Sequence, residues 1–330
     1  MTATGEFKVP PDIDRSVREL LAERGGFSRL RHLQLARKVA DHCEKLVAHD
    51  ASGRPAAFVV VSPRAHPSAV LEATLRARAA REQLRGEPAA AVLVPWRVGE
   101  ADGLSFSVTE YAHPLGGHDL LSRWRRRSCG RRAIDWLHHV AAQTVADVPE
   151  DAVDARVAGP LARLVADETL GSSVRTAGRE ALAALDAGRW RPRQQLAHND
   201  FWWNNLVRPS TRRDLAWPYV IDWGGAAVDG FPLYDLMRMA HSLRLSPRLF
   251  AQDLRRGARP LQCTPAEAPH HVVTALAALR EHLGQWPKEQ YARLGEEWLD
   301  YLRAGIGAAS ERGETGDRAA RLRAARATTE

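Results

Sequence analysis

Short apolar runs separated by turn residues occupy the first third of the chain, and longer stretches with apolar positions three and four apart occupy most of the rest. Residues 16–24 predict a helix closed by Gly25-Gly26. Strands are predicted over 30–39, 45–49 and 57–62, and Asp50-Ala51-Ser52-Gly53 between the last two is a hairpin signal. Residues 67–84, rich in Ala, Leu, Arg and Glu, predict a helix. Strands at 92–94 and 104–109 follow, with a strong turn at 100–103. From His113 the pattern turns helical, over 120–127, 131–146, 151–167 and 174–187. The second of these has an apolar face through Ile134, Leu137, Val140 and Ala141. Further helices are predicted over 236–245, 247–255, 266–283 and 288–305, and the Ala-, Arg- and Glu-rich stretch 308–330 reads as a frayed helix or flexible tail. The order, strands first and helices after, predicts an α+β chain with a small strand-rich part followed by a larger helical part.

The chemistry is concentrated in residues 195–225, QLAHNDFWWNNLVRPSTRRDLAWPYVIDWGG. Leu196-Ala197 leads to His198 and Asp200, and Asn205 comes five residues after that. A second apolar run, Tyr219-Val220-Ile221, delivers Asp222 ahead of Trp223-Gly224. Two strand-like runs each lead into a carboxylate, with an amide between them. Mg²⁺ takes hard oxygen ligands from one or two protein groups and completes its shell with phosphate and water, which Asn205 and Asp222 suit. A carboxylate such as Asp200 accepts or steers the proton of a substrate hydroxyl.

His198-x-Asp200-x4-Asn205 followed by Ile221-Asp222-Trp223-Gly224 resembles the catalytic loop and metal-binding turn of the aminoglycoside phosphotransferase/choline kinase-like family. Phe231-Pro232-Leu233-Tyr234-Asp235-Leu236 resembles the helix start that follows them there. The resemblance implies a two-lobed protein-kinase-like fold, with a nucleotide-binding lobe over 1–112, a catalytic and substrate lobe over 113–307, and a tail over 308–330. It implies Asp200 as catalytic base, Asn205 and Asp222 as metal ligands, His198 as a structural residue of the loop, and Asp235 as a brace behind it. It places a hinge at 109–112, where backbone groups of Glu110 and Ala112 would bond the adenine of ATP. Asn199 stands where the family often has Gly, a mild change because Asn tolerates left-handed backbone.

The family's third strand normally ends in a lysine that pairs with the α- and β-phosphates. Here that position falls near Val60, and no lysine is there. The chain has only four lysines, Lys8, Lys38, Lys45 and Lys288. The expected replacement is Lys45 from the adjacent strand, with Lys38 second, held by Glu72 or, in another helix register, Glu82. The plainer reading makes Lys45 and Glu72 solvated residues. Trp202 and Trp203, beside Asp200, either stack on substrate or fill the core beneath the loop.

Composition adds limits. The formal net charge is +7, with basic residues clustered at 123–127 and at Arg131-Arg132, but no nucleic-acid-binding motif accompanies them. No apolar run reaches the length of a membrane span, and the first residues lack a signal-peptide pattern. Cys43, Cys129 and Cys263 have no paired spacing and read as reduced thiols of a cytoplasmic protein. The expected function is ATP- and Mg²⁺-dependent phosphoryl transfer to a hydroxyl of a small molecule, such as a sugar or antibiotic. The basic balance leans towards a neutral or anionic acceptor. The alternative is a pseudokinase-like nucleotide-binding or scaffold protein with little turnover.

Overall fold

The computed structural model describes residues 9–33, 43–116, 119–210, 216–281 and 288–327, with 309–327 as backbone only. In chain order the elements are α1 (Pro11–Ala22), β1 (Arg29–His32), β2 (Glu44–His49), β3 (Pro55–Val61), α2 (Ala69–Glu82), α3 (Glu87–Ala90), β4 (Arg97–Ala101), β5 (Leu104–Glu110), β6 (Ala112–Pro114) and α4 (Leu120–Thr144). There follow β7 (Ala146–Asp147), α5 (Gly159–Ala166), α6 (Ser172–Asp186), β8 (Arg193–Ala197), β9 (Leu206–Pro209), β10 (Tyr219–Val220) and β11 (Ala227–Gly230). The chain ends in α7 (Tyr234–Ser242), α8 (Pro247–Ala258), α9 (Ala268–Arg280) and α10 (Lys288–Ala327). Two units are distinguished: Met1–Arg132 with Asn204–Ala227, and Ala133–Trp203 with Val228–Glu330.

The first unit is built on an antiparallel sheet of order β1-β2-β3-β5-β4. One face of that sheet (Leu46, Ala48, Val59, Val61, Phe106 and Val108) is buried against Ile13, Val17 and Leu21 of α1. Those three positions recur every four residues, which puts them on one side of the helix. The hairpin between β2 and β3 turns as its sequence predicts. The Asp50 carboxylate accepts from the backbone N–H of Ser52 and of Arg54, both at 2.9 Å, and Gly53 takes φ 80°. The start of α2 is pinned to the sheet by two buried serines. Ser62 Oγ and Ser105 Oγ lie 2.6 Å apart, and Ser62 Oγ accepts from Val70 N–H at 2.9 Å.

A strand expected at 92–94 is not there. Leu93 N–H bonds Val220 O at 3.2 Å and Val220 N–H bonds Ala91 O at 2.8 Å, a lone bridge that Pro95 cannot extend. The strand that pairs with β5 is instead β4, Arg-Val-Gly-Glu-Ala, an edge strand with little apolar signal. A small sheet, β10-β9-β6, completes this unit.

The second unit holds helices and a three-stranded sheet of order β11-β8-β7. The two helices expected over 120–146 are one continuous helix, α4, whose run passes from the first unit into the second. Cys129 and Gly130 at the expected break are buried, so packing overrides the low helix propensity of Gly. The helix expected over 151–167 begins as a tight turn at Glu150–Ala152 and a wide one at Asp154–Ala158 before α5. Among the described residues no helix is long and apolar enough to cross a membrane.

Candidate active site

Strand β8 delivers the catalytic-loop sequence within the second unit. His198, directly after it, is buried, and its backbone N–H donates to Asp235 Oδ2 at 2.6 Å. Asp235 lies in the first turn of α7 and is itself buried; burial pushes its carboxyl pKa up, against the opposing pull of His198. Asn199 takes φ 63°, the left-handed region in which an Asn side chain is tolerated. That residue turns the chain so that Asp200 N–H donates to His198 Nδ1 at 3.3 Å. Nδ1 is thus the acceptor of that bond. Phe201 is fully buried and stacks on Trp136 at 5.5 Å, which anchors the loop in the core of this unit. Trp202 and Trp203 are half-buried and meet edge to face at 6.0 Å.

The Asp200 carboxylate accepts from the guanidinium of Arg238, one turn beyond Asp235 on α7. The same guanidinium donates to Asn199 O at 3.3 Å and to Tyr234 Oη at 3.2 Å, and lies 5.7 Å from the ring centre of Trp298. Its side chain is 11% exposed and that of Asp200 35%, so the cation is buried and the carboxylate faces outward. Sequence reasoning missed Arg238. The signal was present, since a residue three places after the expected brace Asp235 lies on the same side of a helix.

The expected metal ligands belong to the first unit. Strands β9 and β10 pair with Leu206 opposite Val220, and Ile221 N–H donates to Asn205 O at 3.0 Å. Asn205, just before β9, and Asp222, just after Ile221, thus come to the same end of one hairpin. Asn205 is buried and Asp222 is exposed at φ 68°. The chain then makes a tight turn over Trp223–Gly225. Trp223 is buried there, its Nε1–H donating to Val220 O at 3.0 Å, and Arg76 of α2 donates to Gly224 O. Among the described residues no three His, Cys, Asp or Glu side chains gather as a metal site. One carboxylate and one amide oxygen fit a hard cation that takes most of its shell from phosphate and water.

Lys45 sits on β2 directly opposite Val60 of β3, and Val60 lies opposite Ser107 of β5. Directly paired residues project to the same face, so Lys45 shares a face with the position where the lysine was expected. Glu72 is exposed and accepts from Ser68 Oγ at 2.6 Å, and Glu82 is exposed at the end of α2. Among the described residues no ion pair joins Lys45 to either acid; Lys38 lies outside the described residues. At the expected hinge, Glu110 ends β5 opposite Ala57 and Ala112 opens β6 opposite Pro209. Between them, Tyr111 N–H donates to Ala56 O at 3.1 Å, and Tyr111 O accepts from Ser210 Oγ.

No protein-family profile and no curated protein sequence matches the chain. Solved structures do. A thermostable mutant of the aminoglycoside phosphotransferase APH(4)-Ia, in ternary complex with ADP and hygromycin B, superposes with a TM-score of 0.54 at 17% identity, covering 88% of this chain and 99% of that one. Its apo form gives 0.53 at 16% identity, covering 87% and 98%. The chain has the aminoglycoside phosphotransferase fold. That fold is protein-kinase-like and α+β, in keeping with the strand-then-helix order of the sequence. Within that fold, residues 198–200 and 235–238 form one hydrogen-bonded support for the outward carboxylate of Asp200.

Proposed function

We propose that this chain is an ATP- and Mg²⁺-dependent phosphotransferase that acts on a hydroxyl of a small molecule. The observation that carries the reading is Asp200: a half-exposed carboxylate fixed by Arg238 on a loop whose backbone is tied to buried Asp235. Phosphoryl transfer leaves little covalent work to a protein, and a rigidly placed carboxylate is the group it needs at the acceptor. The acceptor oxygen attacks the γ-phosphorus, the bond from that phosphorus to the bridging oxygen of ADP breaks, and Asp200 takes or steers the hydroxyl proton. Asn205 and Asp222 hold the metal, which when bound neutralises phosphate charge. Lys45 meets the phosphates from β2 in place of the lysine missing near Val60, and backbone groups of Glu110 and Ala112 hold the adenine. Trp202 and Trp203 offer ring faces to the acceptor. The ADP seen in the APH(4)-Ia complex supports a nucleotide in this fold. The net charge of +7 favours a neutral or anionic acceptor, a sugar for example, over a polycation. The chain is read as a cytoplasmic enzyme with no nucleic-acid partner.

One observation favours the second reading, a nucleotide-binding or scaffold protein with little turnover: Lys45 has no acid partner in Glu72 or Glu82. Calorimetric titration of ATP with and without Mg²⁺ separates the two. Metal-dependent binding that is lost in Asp222→Ala and weakened in Lys45→Ala is the expected result, followed by turnover in an acceptor screen. Metal-dependent binding with no turnover on any acceptor selects the scaffold. No nucleotide binding in either condition refutes the phosphotransferase and favours the scaffold protein.

A further inference from the structure

Large apolar side chains are seldom exposed in the described part of this molecule, and three of the eight that are fall within five residues. Leu120, Leu121 and Trp124, in the first two turns of α4, are 80%, 54% and 67% exposed. The helix is well founded. Asp119 caps it, accepting from Ser122 N–H at 2.6 Å and from Ser122 Oγ at 3.2 Å, and Ser122 and Cys129 face the protein. At about 100° per residue, Leu120, Trp124 and Leu121 span an arc of roughly 100° on the opposite, solvent side. Exposed Arg123 and Arg127 fall on one border of that arc and exposed Arg125 on the other. No acidic residue occurs between Asp119 and Asp135.

Side chains this exposed form a ridge, not a groove, and the arginines on its borders call for negative charge. A second copy of the chain would set arginine against arginine. A nucleic acid would satisfy the arginines and stack on Trp124, but it would leave two leucines in water. The headgroup zone of an anionic bilayer meets all three demands. Indole rings sit at that level, leucines reach the acyl boundary, and arginines extend to the lipid phosphates. Since no described helix can cross a bilayer, such attachment is peripheral. We propose that the first two turns of α4 dock this protein on an anionic lipid surface.

Vesicle flotation tests this with the full chain. The protein is expected to float with phosphatidylcholine vesicles that contain phosphatidylglycerol, to stay behind with phosphatidylcholine alone, and to be released as salt is raised. Leu120→Ser/Trp124→Ser is expected to bind at least about tenfold more weakly with an unchanged melting temperature, because both side chains are exposed in the free protein. Arg123→Glu/Arg127→Glu is expected to lose binding, whereas Arg64→Glu/Arg248→Glu, with the same charge change at exposed residues elsewhere, keeps most of it. Absent or charge-indifferent flotation overturns the proposal, as does equal loss in the two charge variants. So does retention by a single-stranded oligonucleotide without vesicle binding, which assigns the ridge to nucleic acid.

Discussion

Arg238 decides what Asp200 can do. A guanidinium that is 11% exposed cannot rely on water, and its charge is balanced by Asp200 with Tyr234 Oη and Asn199 O as further acceptors. The carboxylate gains a fixed direction from the same contact. Arg238→Met keeps the length and apolar stem but releases Asp200. The expected result is a kcat lower by about 10- to 100-fold with the KM for ATP within about twofold, since positioning and not nucleotide binding is lost. Arg238→Lys should recover part of that loss, because charge returns without the fork. Asp200→Asn should cost about 10²- to 10⁴-fold in kcat, the usual worth of a general base. An Arg238→Met enzyme with normal kcat would remove Arg238 from the account. The site was unevenly legible at this scale. Asp200, Asn205 and Asp222 stood out in the sequence as candidates because the proposed chemistry would dictate residue type and spacing. Asn199 could be foreseen in left-handed backbone because few residues tolerate it, and it takes φ 63°. Arg238 escaped because a lone arginine on a predicted helix looks like any solvated arginine until the helix is docked.

At the scale of elements, strand β8 carries His198 at its end, so whatever spaces β8 from its neighbour sets the loop. That spacer is the absence of a side chain at Gly230 of β11. A Cβ built there would lie 2.5 Å from Ala197 Cβ, closer than such atoms approach, and neither atom belongs to a flexible side chain that could swing away. Gly230→Ala is therefore expected to cost about 1–3 kcal/mol by urea denaturation and to lower kcat by moving His198 and Asp200. Ala197→Gly removes the opposing methyl, so the double variant should regain most of both losses. Additive losses in that double-mutant cycle would show that the two positions do not meet. The runs that lead into His198 and Asp222 were read as strand-like, and they form the end of β8 and β10. β7 has two residues and β9 and β11 four, too few to show alternation, and they are recognisable only once paired. The longer β2, β3 and β5 were legible because their apolar runs must cover α1. The single helix α4 was read as two because Ser128-Cys129-Gly130 is a poor helical triplet, which the burial of Cys129 and Gly130 offsets.

At the scale of the whole molecule, acid stability reports on the core of the second unit. His271 of α9 is 1% exposed, and its Nε2 accepts from Trp190 Nε1–H at 3.3 Å. Burial first, then neighbouring His270 and Arg193, pulls its pKa from 6.5 down to about 3. The folded protein thus holds a neutral imidazole through a range in which the unfolded chain binds a proton. Stability from this group is complete above about pH 6.5 and drains away as pH falls towards 3. At about 1.4 kcal/mol per pH unit, His271 alone should remove about 2 kcal/mol between pH 8 and pH 5. His241 and His270, also pulled down by burial, act with the same sign. Asp235, pushed up by burial, acts with the opposite sign, but equally in the wild type and in a His271 variant, so their difference isolates His271. Asp167, whose bond from Thr169 and pairing with Arg280 hold its pKa at about 2, loses its contribution only below about pH 4. His271→Gln can keep an acceptor for the Trp190 indole without a group that titrates there. Urea unfolding at pH 8, 6.5 and 5 is expected to show the variant closing on the wild type as pH falls, by about 2 kcal/mol overall. Parallel pH curves for the two proteins would mean that His271 is not held neutral by the fold, and that the acid sensitivity of this core lies with other groups.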